Sequence, residues 1–291
     1  MHMVEAKGLL HQSGGGLGMN LYRGCVHGCI YCDSRSSCYG MAHRFEDVAA
    51  KQNAPALLEA ALKARRKPCM IGTGSMSDPY MPCERELRLT RQCLELIHRY
   101  GFGAAVLTKS DGIMRDLELL QAIAERARAV VQMTLTTWDE DLCSVLEPNV
   151  CTTRRRLEVL TECRRRGIPT VVWLSPILPF LNDTEQNIAS ILGACAEAGV
   201  KGVICFDMGL TLRDGNREYF YAALDRFFPG LRARYEAAFG GAYACSSPNR
   251  ARLWTVFNDL CARYGMLARP DDCFRFLNEF PEPGNQLRLP L

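Results

Sequence analysis

The sequence predicts an α/β protein built on a parallel sheet. Three observations carry that expectation. Apolar runs of strand length recur six times, amphipathic helical patterns separate them, and 291 residues suffice to cover both faces of such a sheet. Right-handed crossovers would curl six strand–helix units into a barrel-like sheet or wind them into an open one. Periodicity alone leaves both available.

The elements follow in order. Residues 1–17 end in Ser13-Gly14-Gly15-Gly16, which reads as a flexible lead-in or, alternatively, a phosphate-cradling loop. Strand-like runs are expected at 18–22, 69–73, 103–108, 130–135, 170–174 and 202–206. Helical patterns fill the intervals at 54–66, 86–100, 115–126, 153–166 and 184–198. The last of these has clear punctuation: Asp183 as cap, Gln186 at the capping-box offset and Gly199 to close it. A further helix, 217–227, follows the sixth strand and stops before Pro229. Gly240-Gly241 marks a boundary, after which come a helix near 250–264 and a Pro-rich, extended stretch from Pro281. The expected organisation is a lead-in (1–17), a core of six units (18–239) and a small C-terminal extension (240–291).

Composition narrows the class. Apolar residues make up 48% and charged residues 23%, which excludes a disordered chain. No apolar run approaches the ~18 residues of a membrane span, since Pro176 and Pro179 interrupt the longest, 171–181. No secretory h-region is visible, so no membrane partner and a cytoplasmic location are expected. The net charge of +3 argues neither for nor against nucleic acid. Arg outnumbers Lys 29 to 6, a bias that a GC-rich coding sequence explains more simply than anion binding. Arg154-Arg155-Arg156 and Arg164-Arg165-Arg166 share one predicted helix and read as a solvated face.

Cysteine is the outlier, at fifteen. The count is odd and the chain is not small, so reduced thiols or metal ligands are favoured over a disulfide scaffold. Cys93, Cys163, Cys195, Cys69 and Cys205 lie in helix or strand patterns and read as core. The informative group follows the first strand: Tyr22-Arg23-Gly24-Cys25-Val26-His27-Gly28-Cys29-Ile30-Tyr31-Cys32. A loop of this length can wrap three thiolates around one compact metal centre. Four thiolates would favour a closed zinc site, whereas three on an iron–sulfur cube leave one iron open to a small molecule. Gly24 and Gly28 would let the backbone approach the cluster, and Tyr31 sets an aromatic ring beside it. The loops at the carboxyl ends of parallel strands are where α/β folds place their sites.

The Cys25, Cys29, Tyr31, Cys32 pattern resembles the signature loop of radical S-adenosylmethionine (SAM) enzymes. Later segments narrow the match in order: Gly72 to Tyr80 with Glu84, Thr90 and Arg91; Thr108-Lys109-Ser110 with Arg115-Asp116; Thr134 to Thr137 with Glu147-Pro148; Pro176 to Pro179 with Asn182-Asp183. This succession, over about residues 18–210, is similar to the spore-photoproduct-lyase-like branch. Met208 to Gly215, with Tyr219-Phe220-Tyr221 and Phe228-Pro229-Gly230, looks closer still to the radical SAM mobile pair protein B subgroup.

The resemblance implies a partial (β/α)6 TIM-like barrel. It implies a [4Fe–4S] cluster on Cys25, Cys29 and Cys32, with SAM chelating the open iron. Tyr31 would lie against adenine, Ser77 and Asp78 would hold the SAM amino group, and Lys109 and Thr134 its carboxylate. On the residues alone, Ser77-Asp78-Pro79 could be a turn, Lys109 a surface charge and Thr134 a β-branched strand residue. The implied reaction is reductive cleavage of SAM to a 5′-deoxyadenosyl radical that abstracts hydrogen from a substrate, nucleic acid or peptide. An external electron donor of flavodoxin or ferredoxin type would be needed, and a paired radical SAM protein is an implied partner. Two positions depart from the spore lyase. Ser75 stands where the lyase has its hydrogen-donating cysteine, and Asp33 where it has a tyrosine, so thymine-dimer repair is not expected. Cys38 is a candidate replacement thiol or a buried spectator. Cys245, Cys261 and Cys273 are candidates for an auxiliary cluster, with burial the simpler role. The competing class is an iron–sulfur or zinc nucleic-acid-binding module without radical catalysis. Such a module would grip nucleic acid through its arginines. For a nucleobase substrate, Tyr219, Phe220 and Tyr221 could stack on the base, with packing against the barrel the more common role.

Overall fold

The structure is a computed structural model that describes residues 1–13 and 16–281. Strand β1 (His2–Val4) is followed by β2 (Leu10–Ser13), β3 (Gly16–Met19), β4 (Tyr22–Arg23) and β5 (Ala49–Lys51). Next come α1 (Ala54–Ala64), β6 (Met70–Thr73), α2 (Glu84–Leu87), α3 (Leu89–Tyr100), β7 (Gly103–Thr108) and α4 (Leu117–Arg126). They continue with β8 (Ala129–Thr134), α5 (Glu140–Leu146), α6 (Thr153–Arg165), β9 (Thr170–Trp173), α7 (Glu185–Glu197) and β10 (Gly202–Ile204). The chain finishes with β11 (Gly209–Thr211), α8 (Asn216–Phe227), α9 (Leu231–Phe239), β12 (Ala244–Ser246), α10 (Arg250–Tyr264) and α11 (Pro270–Asn278).

The main sheet runs β10-β9-β8-β7-β6-β3-β2, parallel from β3 to β10, with β2 antiparallel on the edge. Its strands do not close on themselves among the described residues. The six expected strand–helix units are therefore present as an α/β fold with an open parallel sheet. Side chains alternate as the pleat requires. Ala104, Val106, Val131, Met133, Val172 and Val203 meet the helices in one apolar cluster, while Ala105, Val130, Val171 and Ile204 point to the inner face. Helix α11 covers the lower part of that inner face. Its Cys273 and Leu277 pack with Met70, Ala105 and Val130. The helix reaches from the last parallel strand to the first: a Cβ on Gly202 would lie 2.9 Å from Cys273 Sγ, and one on Gly16 would lie 2.4 Å from Asn278 Oδ1. The sheet's interior is thus closed below and open above.

Several expectations change. The lead-in is not loose, because β2 pairs residue by residue with β3 and covers a sheet edge that would otherwise expose unpaired backbone. Gly14 and Gly15, and the tail beyond Pro281, lie outside the described residues. The helix expected at 86–100 is broken at Arg88, which is left-handed at φ 53°. It restarts because the Glu84 carboxylate turns back to accept the Thr90 N–H at 3.1 Å. Thr184, not Asp183, caps α7 by accepting the Asn187 N–H; Asp183 instead accepts the Ser247 hydroxyl at 2.5 Å. Past Gly240, α10 packs on α7, with Leu253, Phe257 and Cys261 in the same cluster as Ile188, Ile191 and Cys195. Among the described residues no helix is long and apolar enough to cross a membrane.

Candidate functional site

The carboxyl ends of the parallel strands converge on one cavity of about 380 Å³. Its lining includes Cys25, Cys29 and Cys32 from the cysteine loop, Tyr31, and Ser75, Ser77 and Asp78 after β6. Lys109 after β7 and Thr134 at the end of β8 add the remaining SAM-contact residues expected from sequence. Residues more than a hundred positions apart thus share one wall. Gly74 makes the approach feasible: at φ +99° a Cβ there would lie 1.9 Å from the Leu107 carbonyl oxygen.

Asp78 anchors the polar side. Its Oδ1 accepts the Tyr80 N–H (2.8 Å) and the Thr108 hydroxyl (2.7 Å), and its Oδ2 accepts the Lys109 N–H (2.8 Å). His27 Nδ1 lies 3.5 Å from Oδ2, and burial pushes the imidazole pKa down. Ser77 is buried and its Oγ has no partner among the described residues. An orphaned hydroxyl facing a cavity is what a bound ligand would satisfy. The Lys109 ammonium makes no hydrogen bond or ion pair with the described residues and lies 5.8 Å from the Tyr31 ring centre. Burial works to lower its pKa, but Cys29, Glu147 and Cys32 together hold it above the usual value. A second ionic network steadies this loop from the helix side. Glu84 takes the Tyr22 hydroxyl and pairs with Arg115 (2.9 Å); Asp116 takes Arg115 (2.7 Å), Arg91 (2.8 Å) and the Tyr80 hydroxyl (3.1 Å). These are the Glu84, Thr90, Arg91, Arg115 and Asp116 of the sequence pattern, and the structure gives them a framing role.

The cysteine loop is clamped from outside. Cys25 N–H donates to Phe45 O (3.0 Å), Ile30 N–H to Leu146 O (3.0 Å), and Asn149 N–H to His27 O (3.1 Å). Gly24 and Gly28 have φ of +88° and +73°, yet neither lines the cavity. A Cβ on Gly24 would lie 2.4 Å from Phe45 O, and one on Gly28 would lie 3.1 Å from Pro148. Their room is used by the clamp. Burial pushes the Cys25 thiol up to about 12 and raises that of Cys29. Bound iron would reverse this, because metal ligation takes the thiolate.

Beneath the loop lies a pairing that sequence reasoning missed, between the Glu147 of the sequence pattern and an arginine expected at the surface. Arg156 and Glu147 are fully buried and 2.5 Å apart. Glu147 also accepts the Tyr31 hydroxyl, and Arg156 Nη1 donates to the Thr134 carbonyl at 3.0 Å. Burial acts to raise the Glu147 pKa, but Arg156 first and Lys109 next hold it below the ordinary carboxylate value. Arg156 therefore corrects the solvated-face reading, while Arg154 and Arg155 are exposed or ion-paired at the surface. The signal was present: Thr153, Arg156, Val159, Leu160 and Cys163 form the buried stripe of α6 at helical spacing.

Other expected residues lie elsewhere. Cys38 is exposed rather than buried, outside the lining, beside Arg213 Nη1 at 3.2 Å. Ser75 is exposed at the mouth. Cys245, Cys261 and Cys273 fall in three separate apolar clusters, so the auxiliary cluster is not assembled; each packs as a small apolar side chain. Phe220 and Tyr221 pack against Tyr235 in the core rather than forming a free stacking surface, and the Tyr219 ring is covered by Arg35 at 3.7 Å. The far wall, unread from sequence, is aromatic. Trp173 and Phe206 line it with ring centres 5.7 Å apart, and Phe274 of α11 stacks on Phe206 at 6.1 Å. Among the described residues no three His, Cys, Asp or Glu side chains are arranged to hold a single metal ion. The three thiols line one cavity, and such a donor set fits a four-iron cube with one thiolate on each of three irons.

Comparisons with known proteins agree with this geometry. The family model described as the radical SAM superfamily matches residues 19–192. An uncharacterized protein of Mycobacterium tuberculosis is 32% identical over 230 residues, covering 75% of this chain and 65% of its own length. The chain therefore spans about two thirds of that relative. An uncharacterized protein of Acidianus two-tailed virus is 27% identical over 235 residues, covering 76% of each. A spore photoproduct lyase with bound AdoMet and a dinucleoside spore photoproduct superposes with a TM-score of 0.66 at 11% identity, covering 92% of this chain and 80% of that one. The radical S-adenosylmethionine methyltransferase TsrM from Kitasatospora setae, with cobalamin and a [4Fe–4S] cluster bound, superposes at 0.59 and 13% identity, over 89% and 59%. At these identities the likeness is one of fold. With its fold, its cysteine loop and its matched span taken together, the chain belongs to the radical SAM superfamily, whose members are enzymes that use a [4Fe–4S] cluster and SAM.

Proposed function

We propose that this chain binds a [4Fe–4S] cluster through Cys25, Cys29 and Cys32 and uses SAM to abstract hydrogen from a substrate held in the same cavity. The observation that carries this reading is the convergence of three thiols, an orphaned buried hydroxyl, a carboxylate and an unpaired ammonium on one cavity wall. When bound, the cluster and SAM supply a 5′-deoxyadenosyl radical by one-electron reduction of the sulfonium, with methionine released.

The chain's residues then have distinct tasks. Ser77 Oγ is free to accept from the SAM ammonium. Asp78 stands behind it as a fixed negative charge, its oxygens already oriented by three hydrogen bonds. Lys109 pairs with the SAM carboxylate beside Thr134, and Tyr31 supports adenine. Trp173 and Phe206 present flat apolar surface to the substrate and exclude water. Such a wall suits a planar unsaturated group, and a nucleobase matches it better than an aliphatic peptide side chain. Apart from the three cluster cysteines no lining residue carries a thiol. A hydroxyl at Ser75 is a poor hydrogen-atom donor, so the product radical is not quenched as in the spore lyase. An electron donor of flavodoxin or ferredoxin type reduces the cluster, a paired radical SAM protein is the expected physical partner, and fifteen unpaired cysteines fit the reducing cytoplasm.

The test is anaerobic reconstitution followed by dithionite and SAM. The expected product is 5′-deoxyadenosine, formed slowly even without substrate. Protein loaded with iron and sulfide that leaves SAM intact would overturn the reading.

A further inference from the structure

We infer that Glu147 and Arg156 are positioning residues: a buried ion pair that sets Tyr31 and the end of β8 in the mutual geometry SAM binding requires. The inference rests on the proposed SAM site and deepens it. The pair touches both halves of that site and neither half alone. Glu147 Oε1 accepts the Tyr31 hydroxyl and lies 3.3 Å from Thr136 Oγ1; Oε2 meets Arg156 Nη2 at 2.5 Å and Cys143 Sγ at 3.7 Å. Arg156 Nη1 then holds the Thr134 carbonyl at 3.0 Å. One continuous chain of contacts runs from the ring proposed to carry adenine to the strand end proposed to meet the SAM carboxylate.

The surrounding backbone shows why a side-chain link is needed there. The turn after α5 already grips the cysteine loop through Leu146 O to Ile30 N–H (3.0 Å), Asn149 N–H to His27 O (3.1 Å) and Asn149 Nδ2 to Val26 O (2.8 Å). Those contacts fix the loop's main chain, and apolar neighbours such as Leu146 and Leu178 pack the buried Tyr31 ring without directing its hydroxyl. The bond to Glu147 sets that end of the ring. Arg156 holds Glu147 ionised and immobile, for an unpaired carboxylate in this position would protonate or move. A buried pair is a weak source of net stability compared with apolar packing, so its placement between two ligand-facing elements accords with orientation as its role.

The test uses reconstituted full-length protein, wild type and Tyr31→Phe, Glu147→Gln and the double variant. Three quantities are read: iron and sulfide per chain, SAM dissociation constant by equilibrium dialysis with labelled SAM, and the electron paramagnetic resonance spectrum of the reduced cluster with and without SAM. Tyr31→Phe keeps the ion pair and its cluster content, weakens SAM binding about ten-fold, and shrinks the SAM-induced spectral change. Glu147→Gln does the same, and the double variant is no weaker than the weaker single, because both break one link. Wild-type SAM affinity with an unaltered spectral change in Tyr31→Phe would overturn the inference, as would fully additive losses in the double variant. If Glu147→Gln does not fold, Tyr31→Phe decides alone. Wild-type protein that loads a cluster yet binds no SAM would overturn the site reading itself and this inference with it.

Discussion

The two sides of the cavity are built by different physics. On the side of β6, β7 and β8, polar groups are held by hydrogen bonds with defined partners: Asp78 by three donors, Thr134 by Arg156, Tyr31 by Glu147. On the side of β9, β10 and β11, the wall is Trp173 and Phe206 backed by Phe274, held by ring packing, with one polar bond from Trp173 Nε1 to Gln132 Oε1 at 2.8 Å. Phe206 remains 56% exposed. A directional side fits a ligand of fixed charge pattern; an aromatic side fits a ligand recognised by shape. The contrast matches the proposal that cofactor binds the first side and substrate the second.

The largest expected effect tests the first side at its base. Cys29→Ala removes one of three thiols, so reconstituted protein loses most of its iron and sulfide by chemical analysis and forms no 5′-deoxyadenosine. Next is Asp78→Asn, which removes the charge and leaves Tyr80, Thr108 and Lys109 an amide in place of their acceptor. SAM affinity falls about a hundred-fold by equilibrium dialysis, and the melting temperature falls too, since bonds to a charged group contribute about 1.5–3 kcal/mol each. Ser77→Ala separates ligand binding from folding. Deleting an orphaned hydroxyl leaves stability within about 0.5 kcal/mol by denaturant titration, while SAM binding weakens about ten-fold. A matching loss of stability would show that Ser77 has a structural partner after all.

Phe206→Ala tests the other side. Uncoupled SAM cleavage stays within about two-fold of wild type while substrate conversion falls about ten-fold or more, a base or ring stacking contact being worth about 1–3 kcal/mol. Equal loss of SAM binding and substrate turnover would erase the division between the two walls. Smallest is Cys38→Ser, which changes neither cluster content nor turnover, because Cys38 is exposed and outside the cavity lining.

The two sides also differ in how far they could be read in advance. Cys25, Cys29, Cys32, Ser77, Asp78, Lys109 and Thr134 stand at strand ends in recognisable local patterns, and the structure gathers all seven. Arg156 was misread because its neighbours Arg154 and Arg155 are surface charges, and only the buried stripe of α6 sets it apart. Cys245, Cys261 and Cys273 were read together on composition, but the fold sends each to a different apolar cluster. Trp173 and Phe206 gave no warning, since an aromatic residue near a strand end is ordinary core material until its inner-face direction is known.

Alternation of apolar strands and amphipathic helices, with close cysteine spacing after the first strand, determined the α/β class and the metal loop, because both depend on residues near one another in the chain. Tertiary structure alone decided how far the sheet curls, that α11 closes it from below, and that Glu147 and Arg156 are buried together beneath Tyr31. Those outcomes depend on which distant surfaces meet, and the free energy of such meetings is carried by no single segment.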